Sequence, residues 1–193
     1  MQKPLLVAIL PFLVTTASAA ENMTMDEIMA SKTETAKAAM KQLGGSLKSE
    51  LQTAIKGGGP ISAISVCNKR APEIASQVAS EKDLEIGRVS LKNRNPSNVA
   101  EGWKKSVLED FEARKAAGES PDKLVYREIA DVDGGKEFRM MKAIPTAGIC
   151  LTCHGSDINA DLAAEVDTLY PEDKARGYSE GDLRGAFWVT SKL

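Results

Sequence analysis

The stretch Leu124–Ile144, LVYREIADVDGGKEFRMMKAI, decides the fold. Leu124 to Ala130 and Glu137 to Ile144 read as two short strands. Asp133-Gly134-Gly135 lies between them and is a strong hairpin signal, because glycine enters positive φ without a Cβ penalty. The spacing therefore predicts an antiparallel pair. Two further strands are predicted around it, Leu84 to Ser90 by its alternation and Gly185 to Thr190 near the end of the chain.

Upstream of the hairpin the pattern is helical. From Met25 to Lys56 apolar residues recur three or four apart (Ala36, Met40, Leu43, Leu47, Leu51, Ile55), with Thr24 as cap and Glu27 three residues on. Gly57-Gly58-Gly59-Pro60 ends this long helix. A second helix carries Ile61, Ile64, Cys67, Ala71, Ile74 and Val78 on one face, and Pro72 kinks or divides it. Ala100 to Ala117 forms a third, bearing Trp103, Val107, Leu108 and Phe111, and Ala160 to Leu169 a short fourth. Helices first and hairpin strands later indicate α+β, with a small antiparallel sheet and a long N-terminal helix. The length suits one domain, residues 24–193.

The chemistry lies just after the hairpin. Cys150-Leu151-Thr152-Cys153-His154 has the form C-x-x-C-H, the attachment signature of a c-type haem. Two thiols at this spacing add across the two vinyl groups of one porphyrin, and the adjacent histidine is held as the proximal iron ligand. A zinc site built from Cys67, Cys150, Cys153 and His154 would supply four N/S donors, but adjacent Cys153 and His154 are poorly disposed for one tetrahedral ion. A thioredoxin-like pair needs a strand–turn–helix context. Ala147-Gly148-Ile149 before the motif and Gly155-Ser156-Asp157 after it predict a loop instead. The reading is one covalent haem c, with Cys150 and Cys153 as attachment points and His154 on the iron.

The N-terminus agrees. Lys3 supplies a positive start, Leu5 to Val14 an apolar run too short to span a bilayer, and Ala17-Ser18-Ala19-Ala20 a small-residue cleavage site. Residues 1–19 are read as a signal peptide cleaved after Ala19 or Ala20, which places the mature protein in the periplasm without stable membrane insertion. Acidic residues number 27 and basic residues 25. That balance leaves no basic footprint for nucleic acid and no polybasic membrane patch.

His154 is the only histidine among the 193 residues, so the iron's other axial ligand must be something else. The residues leave three options open: Cys67, the cysteine not used by the motif; Met140 or Met141, one of which alternation sends to each face of its strand; or an open or lysine-ligated position. Propionate partners are sought in Arg88, Lys92, Arg94 and Asn95, with Arg127, Arg139 and Arg184 as weaker candidates. Trp103, Phe111, Phe138, Phe187 and Trp188 could wall the porphyrin or belong to ordinary core.

Several stretches resemble a bacterial family of single-haem c-type domains with a PAS-like fold, whose members occur alone in the periplasm or as sensory modules. They are Ile64-Ser65-Val66-Cys67, the segment Arg88 to Asn98, the motif with Gly155, Leu169 to Tyr178, and Glu180 to Phe187, in that order along the chain. The resemblance implies that Cys67 is the distal axial ligand. It also implies a redox or small-ligand sensor, or an electron carrier, working with a redox partner protein or a small ligand. A haem enzyme such as a peroxidase and a zinc-stabilised binding module are the alternatives. The peroxidase reading lacks a second histidine as distal base, and the protein is expected not to be an enzyme.

Overall fold

The computed structural model describes residues 23–193, so the predicted signal peptide lies outside the described residues. Helix α1 spans Met25–Ser65 and opens on the expected capping box: the Glu27 amide donates to Thr24 Oγ1 at 3.3 Å, and the Thr24 amide to Glu27 Oε2 at 2.8 Å. The axis breaks at Gly59, whose φ of 75° and ψ of −175° are not helical, and Pro60 restarts it. The predicted stop is therefore real, though the chain re-enters a helix at once. A π-helical turn, Val66–Arg70, follows directly, and α2 spans Ala71–Lys82 with Pro72 in its first turn. The break resets the phase of the helix. Ala63 and Ile64 are buried, whereas Ile61, expected on the same face, is exposed.

The sheet has four antiparallel strands in the order β1-β4-β3-β2. They are β1 (Glu85–Val89), β2 (Val125–Val132), β3 (Gly135–Pro145) and β4 (Leu183–Lys192). Val132 pairs with Gly135 across a two-residue turn, Asp133-Gly134, as the hairpin signal required. Helix α3 (Gly102–Ala116) connects β1 to β2. Helices α4 (Gly148–His154) and α5 (Ala160–Leu169) lie between β3 and β4.

Alternation along the strands builds a core on each face. Ile86, Phe138, Met140 and Val189 pack with Ala36, Met40 and Leu43 of α1 and Ile74 and Val78 of α2. Val89, Met141, Ala143 and Ala186 pack with Val107, Leu108 and Phe111 of α3. A third, smaller cluster stands apart from both: Ile64, Leu162, Val166 and Tyr170, with Cys153, Ile158 and Leu169 against it. Among the described residues no helix is long and apolar enough to cross a membrane.

One backbone position locks the sheet. Gly185 has a φ of 153°, and a Cβ there would run into the Val89 carbonyl oxygen where β4 meets β1. Gly45, on an exposed turn of α1, has nothing within 4 Å of a built Cβ. Gly185→Ala is expected to lower unfolding free energy by about 2 kcal/mol or more. Gly45→Ala is expected to raise it by roughly 0.5–1 kcal/mol. Urea titration of the two variants checks both signs.

Candidate functional site

The motif is helical, not loop-borne as expected. Helix α4 runs seven residues, Gly148–His154, and closes when the Gly155 amide donates to the Leu151 carbonyl at 2.8 Å. The helix puts Cys150 and Cys153, three positions apart, on neighbouring rows of one face. Both are free, half-buried thiols.

His154 completes the turn with its ring already oriented. The Ala175 carbonyl lies 2.7 Å from Nδ1. A carbonyl only accepts, so Nδ1 carries the proton and Nε2 keeps its lone pair for a metal. Burial, reinforced by the nearby Arg184 and Arg94 guanidinium groups, pushes the imidazole pKa down to about 3. The ring is therefore neutral at physiological pH, the form a metal ligand requires. The Tyr178 ring stands edge-on to it at 6.2 Å and 86°.

Cys67 sits on the π-helical turn Val66–Arg70, where the Ala71 amide reaches back five residues to the Val66 carbonyl. Such wide turns recur at functional sites because they push one side chain out of helical register. The turn follows Ile64, which belongs to the same small cluster that Cys153 packs against. Burial raises the Cys153 thiol pKa, and the neighbouring Cys67 and Cys150 add to the rise. All three thiols thus share one neighbourhood.

A surplus of cations surrounds them. Arg88 on β1 lies within electrostatic range of Cys67 and Tyr170 and, among the described residues, makes no ion pair; burial depresses its pKa. Arg184 donates from Nη1 to Ser90 Oγ at 3.1 Å and to the Lys92 carbonyl at 3.3 Å. Burial depresses its pKa as well, and Arg94 and Arg88 add to the fall. Arg94, expected beside a propionate, is engaged elsewhere. Its Nε and Nη2 donate to the two oxygens of Asp173, each at 3.1 Å, and Nη2 also donates to the Cys153 carbonyl at 2.6 Å. Arg94 braces the motif. Among the described residues, Arg88 and Arg184 carry charge with no ion-pair partner.

These features fit a haem: two thiols on one helical face, a neutral imidazole with a free Nε2, a third thiol nearby, and two unneutralised guanidinium groups for two carboxylates. They do not fit zinc. Among the described residues no three His, Cys, Asp or Glu side chains converge to hold a metal ion.

The methionine option fails on packing. Met140 and Met141 are 1% and 0% exposed and lie in the two sheet cores, as alternation dictates. The proposed aromatic wall goes the same way. Phe111 and Phe138 are core, Phe187 packs on the α1 side, and Trp103 and Trp188 hold Lys104 on the α3 side. Arg139 pairs with Glu137 and Glu128, and Arg127 is exposed on β2. The aromatic groups that do reach the site are Tyr170 and Tyr178. Neither was singled out from sequence, nor was Asp173, although all three lie in the stretch Leu169 to Tyr178.

A family model described as Tll0287-like matches residues 14–191. Among solved structures, the cyanobacterial heme-protein Tll0287 aligns with a TM-score of 0.63 at 20% identity, over 89% of this chain and 98% of that one. No curated protein matches. With the family model covering nearly the whole sequence, the chain belongs to the Tll0287-like family.

Proposed function

We propose that this protein is an exported, periplasmic monohaem c-type protein that responds to redox state or to a small ligand. Cys150 and Cys153 carry the porphyrin through thioether bonds. His154 would hold the iron through Nε2, and Cys67 would supply a second ligand. Arg88 and Arg184 would pair with the propionates. Bound, the haem supplies one-electron iron chemistry.

The observation that carries this reading is the 2.7 Å contact from His154 Nδ1 to the Ala175 carbonyl. It leaves one ring nitrogen free, on the same short helix as both motif thiols. The solved relative, a cyanobacterial heme-protein, supports it. Placement of Cys67 on a π-turn beyond the Gly59 break favours a responsive site over a rigid carrier, because that segment is short and bounded by irregular backbone. A Cys67 thiolate would bring negative charge to a bound iron and favour the ferric state, giving a potential low relative to a histidine–methionine site.

Two measurements test the reading. Exported through its own leader in a host that attaches haem, the protein is expected to retain a Soret band after denaturation and acid–acetone extraction. The Cys150→Ala/Cys153→Ala variant should lose it. A wild type without covalent haem would sink the proposal, and the same sample would then be assayed for zinc.

Cys67→Ala should lose the ferric features of thiolate ligation and bind carbon monoxide readily once reduced, while Cys67→Met should raise the potential. A Cys67→Ala spectrum identical to wild type in both oxidation states would remove Cys67 from the iron.

A further inference from the structure

Arg94 and Asp173 form a buried pair, their side chains 8% and 2% exposed. The pair joins two backbone points that matter to His154. At one end Arg94 Nη2 donates to the carbonyl of Cys153, the residue before the histidine, at 2.6 Å. At the other end Asp173 Oδ1 accepts from the amide of Ala175 at 2.9 Å. Ala175 is the residue whose carbonyl receives the His154 Nδ1 proton. A longer contact, 3.4 Å, runs from Arg94 Nη2 to that same carbonyl. The ring and its acceptor are therefore spaced by one forked ion pair, and among the described residues the loop that supplies the acceptor has no other charged anchor of comparable burial.

We propose that the Arg94–Asp173 pair is a positioning element for the proximal ligand. It holds the Ala175 carbonyl against Nδ1 and so sets how strongly His154 donates to the iron. The inference rests on the reading that His154 ligates a haem. A ring whose Nδ1–H is firmly held by an acceptor is the more basic ligand and favours ferric iron. Loosening the brace weakens that hydrogen bond and favours ferrous iron. The opposing effect, relief of the shared acceptor when Arg94 is removed, is smaller, because the 3.4 Å contact lies at the weak end of hydrogen-bond geometry.

The test uses the haem-loaded protein and three variants. Arg94→Lys keeps the charge but cannot fork between a carboxylate and a carbonyl. Asp173→Asn keeps the shape and loses the charge. Arg176→Gln is the control, since the Arg176 side chain donates to Asp173 Oδ2 at 2.8 Å from the solvent side and makes no hydrogen bond to Ala175 or Cys153. Because the chain has one histidine, 15N-histidine labelling reports a single ring. In the reduced, carbon-monoxide-saturated protein the iron is diamagnetic and the Nδ1–H proton can be observed. It should move upfield in Arg94→Lys and Asp173→Asn and stay in place in Arg176→Gln. Without carbon monoxide, Arg94→Lys should shift the ferric–ferrous equilibrium toward ferrous by about tenfold, about 59 mV for one electron. Unmoved resonances in both brace variants, or an equal shift in the Arg176→Gln control, overturn the proposal while leaving haem ligation intact. A wild type that carries no covalent haem overturns the functional reading itself.

Discussion

A charge pair taken out of water is the constraint on which this site depends. Arg94 follows β1, and Asp173 follows α5. Nothing local in the sequence would bring them together, yet they meet with two parallel contacts. Burial pushes the Asp173 carboxyl up, but hydrogen bonds from Arg94 and Arg176 outweigh it and hold the group below the usual carboxylate range. A depressed carboxylate contributes stability above its unfolded pKa and loses it as pH falls through the folded one. Removing one member of such a pair leaves an uncompensated buried charge and costs about 3–5 kcal/mol, against about 0–1 kcal/mol for an exposed pair. The pair is therefore better understood as a fastener between distant segments than as a source of net stability.

The sheet and the site divide the labour. Two apolar cores, one on each face, consume Met140, Met141 and the large aromatic residues, so the sheet needs nothing from the cysteines. The third cluster is small and joins the Cys67 segment to α5 and the motif. Arg88 lies on β1, on the same face as Ile86, within electrostatic range of Cys67 on the π-helical turn. A change confined to the third cluster can thus leave both sheet cores undisturbed.

Much of this was legible in the sequence, for reasons that differ from element to element. The hairpin, the Thr24 cap and the Gly59–Pro60 break rest on local backbone chemistry, and local chemistry is what a sequence displays. Met140 and Met141 show where pattern reasoning stops. Alternation did send them to opposite faces, but both faces proved to be covered by helices, which a strand pattern alone cannot reveal. Helix α4 was missed because Gly148 and Gly155 flank it and read as loop, while its register is held from outside, by Glu180 accepting from the Gly148 amide and by the 175–178 segment. Arg94 stands out in its turn-rich segment, but its ion pair with Asp173 was not legible because that partner lies 79 residues away.

The strand order carries a consequence for how the chain comes to be folded. β4 is central, pairing with both β1 and β3, yet it follows every other strand in sequence. Contacts of such long sequence separation form late and slowly, because loop-closure entropy is lost before pairing compensates it. As the chain emerges from its N-terminus, the Cys150–His154 segment is available before the strand that completes the sheet. The two thiols then have an interval in which β1 lacks its neighbour and α4 has no closed domain around it. Chemistry directed at those thiols would meet an open, accessible peptide, and completion of the sheet would enclose whatever had been attached.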